Sequence, residues 1–355
     1  MSLGAPVARA RFDPMRRRLL VLTGARGDVH GLRYSEDHEL DEQYRVDAGD
    51  APVADLAYGT GYEWFITVGV GRPTELWDPR EARRKADRAL PQKGQTAVAL
   101  VRKAKVLLLG GARRVVGVDT FEGRPWGDLR TSGRVVALAV HPEDRVVLCV
   151  ATAEPGSHLF FGRATLIGRT PGFVQHDVCY RAGFPVRGAA FAPDGRSFVL
   201  VGGSDGRLEL EVVAFPSMRT RLRWRSAGPA QPGATVVESV GFDDTGTRVW
   251  VGAPDGKLLD VSVDSGEVRA EVAAHDGPVT TFEVRQGRRL AVTAGADGVV
   301  KLWKMPDLVR RHDPDAPKHP ATDEFKGWHA VWDRKDVEGM RTFDPPAGTT
   351  VVGGG

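Results

Sequence analysis

A few stretches of this 355-residue chain carry residue types and spacings that could do chemistry. Gly202 to Gly206, GGSDG, has the spacing of a nucleophile elbow around Ser204. An elbow needs a strand that runs into a helix, and the RLELEVV that follows reads as another strand, so no acyl transfer is expected of Ser204. Gly252 to Leu258, GAPDGKL, lacks the spacing and the closing hydroxyl of a phosphate-binding loop. His312, Asp313, Asp315 and His319 offer ligands for a hard or borderline metal, but prolines separate them, and the cluster reads as solvated charge. Zinc spacings of the H-E-x-x-H or paired C-x-x-C kind are absent. Cys149 and Cys179 lie in or near apolar runs and read as small buried hydrophobes. The expectation is therefore no catalytic residue, no metal and no cofactor.

A different kind of constellation lies between Ala274 and Met305: His275, Thr293, Asp297 and Trp303. The segments that position them are PVTTFEV, RLAVTAG and VVKLW, rich in β-branched residues or alternating apolar with polar, which reads as three strands. Gln286-Gly287 and Asp297-Gly298 punctuate them, and Asp-Gly supplies the positive φ of a tight hairpin. A sheet of this size cannot bury both of its faces alone.

Similar strand–turn–strand cores begin at Phe12, Ala57, Val101, Val140, Phe191, Phe242 and Val284, at intervals of 39 to 51 residues. Such spacing, with about four strands per unit, is that of a propeller. The 274–305 stretch closely resembles a WD-repeat β-propeller blade. The resemblance implies that Asp297 holds His275 and that Thr293 links His275 to the indole of Trp303, a structural role. Lys304 stands where the family places an Asp after the Trp. The other copies are more divergent. Thr67 and Trp77 keep the Thr–Trp spacing, but Gly71 replaces the turn Asp. Thr23, Asp28 and Tyr34 are imperfect counterparts in the first copy, and Glu211 falls at the tryptophan place of the fifth. The implied fold is all-β: a seven-bladed propeller of four-stranded antiparallel blades over 1–309, with an extension over 310–355.

Composition narrows the function classes. A net charge of +3 is small for this length and gives no mandate for nucleic acid or an anionic membrane. The excess of Arg over Lys and the lack of Asn read as the coding drift of a GC-rich bacterial genome. The first residues lack the apolar core of a signal peptide, and no apolar run is long enough to span a bilayer, so the cytoplasm is expected. Arg80, Arg83, Arg84, Lys85 and Arg88 form the most basic local cluster, on a segment after Asp78-Pro79 that reads as a short helix. Past Pro306 a polar, proline-broken linker leads to FKGWHAVWDRKDVEGMRTF, where Phe325, Trp328 and Trp332 share one helical face. This segment either packs on its own propeller, with an outer strand for the last blade as one form, or anchors a partner.

What the resemblance implies is a non-enzymatic scaffold whose partners are other proteins, with Phe325, Trp328, Trp332, Arg83 and Arg84 as candidate contacts and no small-molecule ligand evident. Two alternatives are a propeller enzyme, with carboxylates and histidines converging at a channel mouth, and a nucleic-acid contact through the Arg80–Arg88 cluster.

Overall fold

A computed structural model describes residues 1–305 except 14–15, 25–26, 50, 60–63, 86–89, 102–104, 121–124, 143–145, 153–155, 168–169, 204–206, 227–238 and 286–287. Phe325, Trp328, Trp332, the linker histidines and the whole 310–355 extension lie outside the described residues, as do Ser204 and Asp205.

The chain folds into seven antiparallel sheets, the blades of a β-propeller, over 7–46, 55–93, 97–130, 135–182, 186–225, 240–273 and 279–304. Each sheet is a meander whose strands follow in sequence order from the centre of the ring to its rim. The inner strands touch their neighbours in a closed cycle, from Val7–Phe12 through Asp55–Tyr58, Ala97–Val101, Val135–Val140, Val186–Phe191 and Val240–Phe242 to Val279–Arg285 and back.

Sequence patterning explains the radial order. The second strands are largely apolar runs, and Ser197–Gly202 and Leu290–Gly295 are buried at every residue. The rim strands, such as Thr220–Arg225 and Val268–Ala273, alternate and leave every second residue exposed. Both faces of each sheet are apolar near the centre, so each needs a neighbour on either side. Seven apolar clusters among the described residues supply this, one at each junction between blades. The cluster that closes the ring joins Val7, Ala10, Phe12, Leu19 and Val21 to Leu290, Val292, Ala294 and Val300.

Two blades depart from the four-strand pattern. In the second, the segment read as a helix is a turn through residues 79–82 and a two-residue strand, Arg83–Arg84, paired with Trp77 and Asp78. The Asp78 carboxylate accepts the Arg80 N–H at 2.9 Å, which closes a turn where a helix start was expected. Leu90–Lys93 then pairs with Pro73 and Thr74, so this rim strand is split in two.

The seventh blade has three strands of its own among the described residues. Residues 1–3 lie along the outer edge of its third strand, Val300–Lys304. The Val300 N–H donates to the Met1 carbonyl and the Leu3 N–H to the Gly298 carbonyl, both at 2.9 Å. The chain thus crosses from the rim of the last blade to the inner strand of the first, and backbone ties the two ends of the ring. Gly298 makes this approach possible: its φ is +77°, and a Cβ there would stand 2.9 Å from the Ala5 carbonyl oxygen. The outer edge that the sequence offered to the C-terminal segment is taken, at Gly298 and Val300, by the N-terminal one.

A chain that starts at Pro6 should therefore fold but melt about 2–5 °C lower, with faster amide exchange at Val300. Thermal unfolding and exchange measurements check this.

Candidate functional site

The hydrogen-bonded chain of the seventh blade is continuous. His275, at the entrance to the inner strand, has its Nδ1 at 3.0 and 3.1 Å from the two Asp297 oxygens and its Nε2 at 2.8 Å from the Thr293 hydroxyl. The Trp303 indole N–H donates to that hydroxyl at 2.7 Å. The Asp297 carboxylate only accepts, so Nδ1 carries the ring proton, Nε2 accepts from the Thr293 O–H, and Thr293 accepts from Trp303. Burial lowers the His275 pKa, against the opposing pull of Asp297, in keeping with a neutral ring. Burial alone would raise the Asp297 carboxyl, but the Val299 and Asp276 N–H groups and the His275 ring hold it below its ordinary value. The network ties the loop entering the blade to the turn between its second and third strands.

Three other blades solve the same problem differently. In the second, the Trp77 indole N–H donates to Thr67 at 2.9 Å, as the spacing suggests. With Gly71 at the turn, the buried Arg72 takes over the tie. It pairs with Glu75 and donates to the Ala48 carbonyl and, at 2.8 Å, to the Ala51 carbonyl of the entering loop. In the first blade Thr23 bonds His30 at 2.9 Å, and His30 bonds Glu42 at 2.7 Å, so the histidine comes from the third strand. In the fifth, register corrects the sequence alignment. Val186 pairs with Gly202 as Val279 pairs with Gly295, which places Val213, opposite Phe198, where Trp303 stands opposite Ala291. Glu211 stands opposite Leu200, two residues earlier on the same face, and accepts hydrogen bonds from Tyr180 of the fourth blade at 2.7 Å and from Thr220 and Arg223 at 2.9 and 2.8 Å.

The central channel is the second polar assembly. One cavity of about 90 Å³ lies at the starts of the inner strands, where Arg9, Arg11, Asp55, Arg187, Ser239 and Thr281 meet. A larger one, about 360 Å³, continues toward the strand ends past Arg11 and Glu283 to Tyr58, Leu100 and Val284. An inner strand has one free edge facing the channel, and its N–H groups need acceptors. Side chains from the preceding blade provide them. Thr281 accepts the Ala10 N–H and Glu283 the Phe12 N–H, both at 3.2 Å, across the closing junction. Asp55 does the same for Val98 at 3.1 Å and also takes its own neighbour Leu56 at 3.0 Å. Burial pushes the Glu283 carboxyl up to about 7, opposed by Arg11 and the Phe12 N–H.

The basic cluster of the second blade is matched by acids. Arg84 donates to Glu75 at 2.8 Å, Arg83 pairs with Glu81, and Lys85 lies 3.4 Å from Asp78. Arg83 and Arg84 remain exposed, but the local field is that of mixed charge. Arg88 lies outside the described residues. Among the described residues no group of three or more His, Cys, Asp or Glu side chains is arranged to hold a metal.

Two outcomes follow from these networks. Thr293→Val leaves the His275 and Trp303 nitrogens without their shared partner and should cost about 1–3 kcal/mol by denaturant unfolding. Glu283 binds its proton more tightly folded than unfolded, so the stability it contributes is fully present below its ordinary value near 4.5 and is lost as pH rises through about 7. Glu283→Gln should therefore stabilise the chain relative to the parent, with little gain near about pH 5 and about 1–3 kcal/mol near about pH 8. Unfolding curves at both pH values check this.

No curated protein matches the chain. The family model for the WD domain, G-beta repeat, matches residues 266–304, which span the rim strand of the sixth blade and the three strands of the seventh. That match, the His275–Thr293–Trp303 chain inside it and the closed ring of seven blades around it support a WD-repeat β-propeller family for this chain, with the family model itself matched over the last repeat alone.

Proposed function

We propose that this chain is a non-enzymatic platform that binds other proteins, across the loop-built face at the channel mouth and through the segment that follows the ring. The observation that supports this best is the cross-tied ring itself. Neighbouring blades share apolar clusters, and side chains of one blade hold backbone groups of the next: Thr96 to the Val135 carbonyl, Ser157 to the Val186 N–H, Ser239 to the Val279 carbonyl. A rigid body of this kind presents loops in fixed positions, and its specificity resides in those loops.

The channel carboxylates favour binding over acid–base chemistry. Asp55 and Glu283 are engaged with backbone N–H groups of the next blade, as structural acceptors are. In this reading His275, Thr293, Asp297 and Trp303 stiffen the face and touch no ligand. Residues 1–309 are the propeller, and 310–355 carry docking anchors in Phe325, Trp328 and Trp332, since large aromatic side chains dominate interface energy. Arg83 and Arg84 offer a second contact for an acidic patch. The compartment is the cytoplasm; no helix among the described residues is long and apolar enough to cross a membrane.

Affinity purification of the tagged full chain from its own cells, followed by size exclusion, tests the reading. The expected result is a stoichiometric protein partner that is lost from a Phe325→Ala/Trp328→Ala/Trp332→Ala chain whose melting temperature is unchanged, or weakened by Arg83→Gln, which alters an exposed residue. A parent chain that elutes alone after native extraction, without a stoichiometric partner, contradicts it.

A further inference from the structure

We propose that the seam where the seventh blade meets the first, on the face where the inner strands end, is a docking point for one carboxylate of a partner protein. The carboxylate is an Asp or Glu side chain on a segment that is otherwise neutral or basic, and Arg285 is its anchor. The inference rests on the protein-platform reading and adds to it the place and the chemistry of a contact.

Two turns build the seam. One joins Val7–Phe12 to Arg18–Thr23 in the first blade and carries Arg17. The other joins Val279–Arg285 to Leu290–Gly295 in the seventh and carries Arg288. Arg285 ends the inner strand of the seventh blade, and its guanidinium lies over the Tyr34 ring of the first, 5.7 Å from the centroid. Phe12 packs edge-on against that ring, and the Tyr34 N–H donates to the Arg17 carbonyl at 3.1 Å, so the first blade holds the ring in place. A ring face steadies a cation but supplies no carboxylate for its N–H donors.

Arg285 is only 8 % exposed. Among the described residues no carboxylate lies within ion-pair distance of it or of the exposed Arg288. Arg288 and Arg17 repel it, and Asp13 attracts it. Asp13 is already engaged: one oxygen accepts the Arg16 N–H at 3.0 Å, and the other accepts from two Arg18 nitrogens at 2.8 and 3.1 Å. Glu283, two residues back on the same strand, accepts the Phe12 N–H instead. Burial has the largest effect on the Arg285 pKa and lowers it. Cations so placed are ordinarily paired. Part of the cost of stripping water from this one is met before any ligand arrives, so a carboxylate gains charge-assisted hydrogen bonds to its fork at little further loss.

The surroundings select the occupant. Arg17 pairs with Glu36 at 2.9 Å, and Asp37 and Glu39 are exposed on the same loop of the first blade. The positive spot is therefore narrow and has acids at its border. A polyanion, such as a nucleic acid or an anionic membrane, would meet those acids. A single carboxylate reaches Arg285 and Arg288 without them.

The test is NMR of the full chain, read at the Arg285 Nε–H resonance, which is assigned by its loss in Arg285→Lys. The probe is the blocked peptide acetyl-Ala-Glu-Ala-amide, with acetyl-Ala-Gln-Ala-amide as the control. The expected result is a saturable shift with the glutamate peptide and none with the glutamine peptide. Arg288→Gln, which alters an exposed residue, should leave the melting temperature unchanged and weaken the binding about two- to fivefold. An Arg285 signal that ignores the glutamate peptide, or follows both peptides equally, overturns the proposal. So does a shift with oligothymidylate at lower concentration, which would make the seam a polyanion site. So does a signal that moves in Asp323→Asn/Glu324→Gln with no peptide present, because the chain's own extension would then fill the seam. A chain that purifies without a partner contradicts the platform reading whatever the peptide does. A partner held equally by the parent and by Arg285→Gln/Arg288→Gln contradicts this proposal alone.

Discussion

The fold depends on one constraint: a blade is apolar on both faces, so no blade can be last. An open stack would leave two sheets with bare faces, one at either end. Closure removes both at once, by setting Val7, Phe12 and Leu19 of the first blade against Leu290, Val292 and Val300 of the seventh. This is why the N-terminal residues are pinned to the far end of the chain. The hydrogen bonds of residues 1–3 to Gly298 and Val300 add a backbone tie beside that apolar junction.

A second demand follows from the first. A closed ring brings seven inner strands edge-on to a narrow channel, and each edge carries N–H groups that water reaches poorly. The chain meets this with polar side chains from neighbouring blades, Thr281, Glu283 and Asp55 among them. The polar content of the channel is thus a product of the architecture before it is a product of function. The turns between blades face a similar demand: His141 of the fourth blade reaches the Gly195 carbonyl of the fifth at 3.1 Å, and Gly195, at φ +70°, has no Cβ to block the ring.

Much of this was legible in the sequence because it is written locally. The seven inner hairpins were visible because two apolar runs flank each turn, and the seven positions picked on that basis fall in the inner strands or at their ends. The seventh blade was legible down to its spacings, since Thr293 and Trp303 sit ten residues apart on neighbouring strands. What was not legible is what depends on register or on distant chain. Glu211 is six residues on from the turn Asp205, as Trp303 is from Asp297, but the fifth blade pairs Val186 with Gly202, and that pairing puts Val213 in the tryptophan place. Arg72 replaces a histidine and an aspartate with chemistry that no repeat pattern contains. The helix expected after Asp78 rested on the absence of breakers, yet an extended rim beside Trp77 gives Arg84 a partner in Glu75. The clasp by residues 1–3 spans nearly the whole chain and has no local signature.

The account treats the seven blades as one closed and rigid body on which function is displayed, and hydrogen exchange resolved by blade tests that most directly. Under native conditions the second strands Arg18–Thr23 of the first blade and Leu290–Gly295 of the seventh should exchange as slowly as Ser197–Gly202 of the fifth, because a closed ring has no terminal blade. Faster exchange confined to the first and seventh blades, with slow exchange in the fourth and fifth, would mean that the ring opens at that junction and would contradict the account.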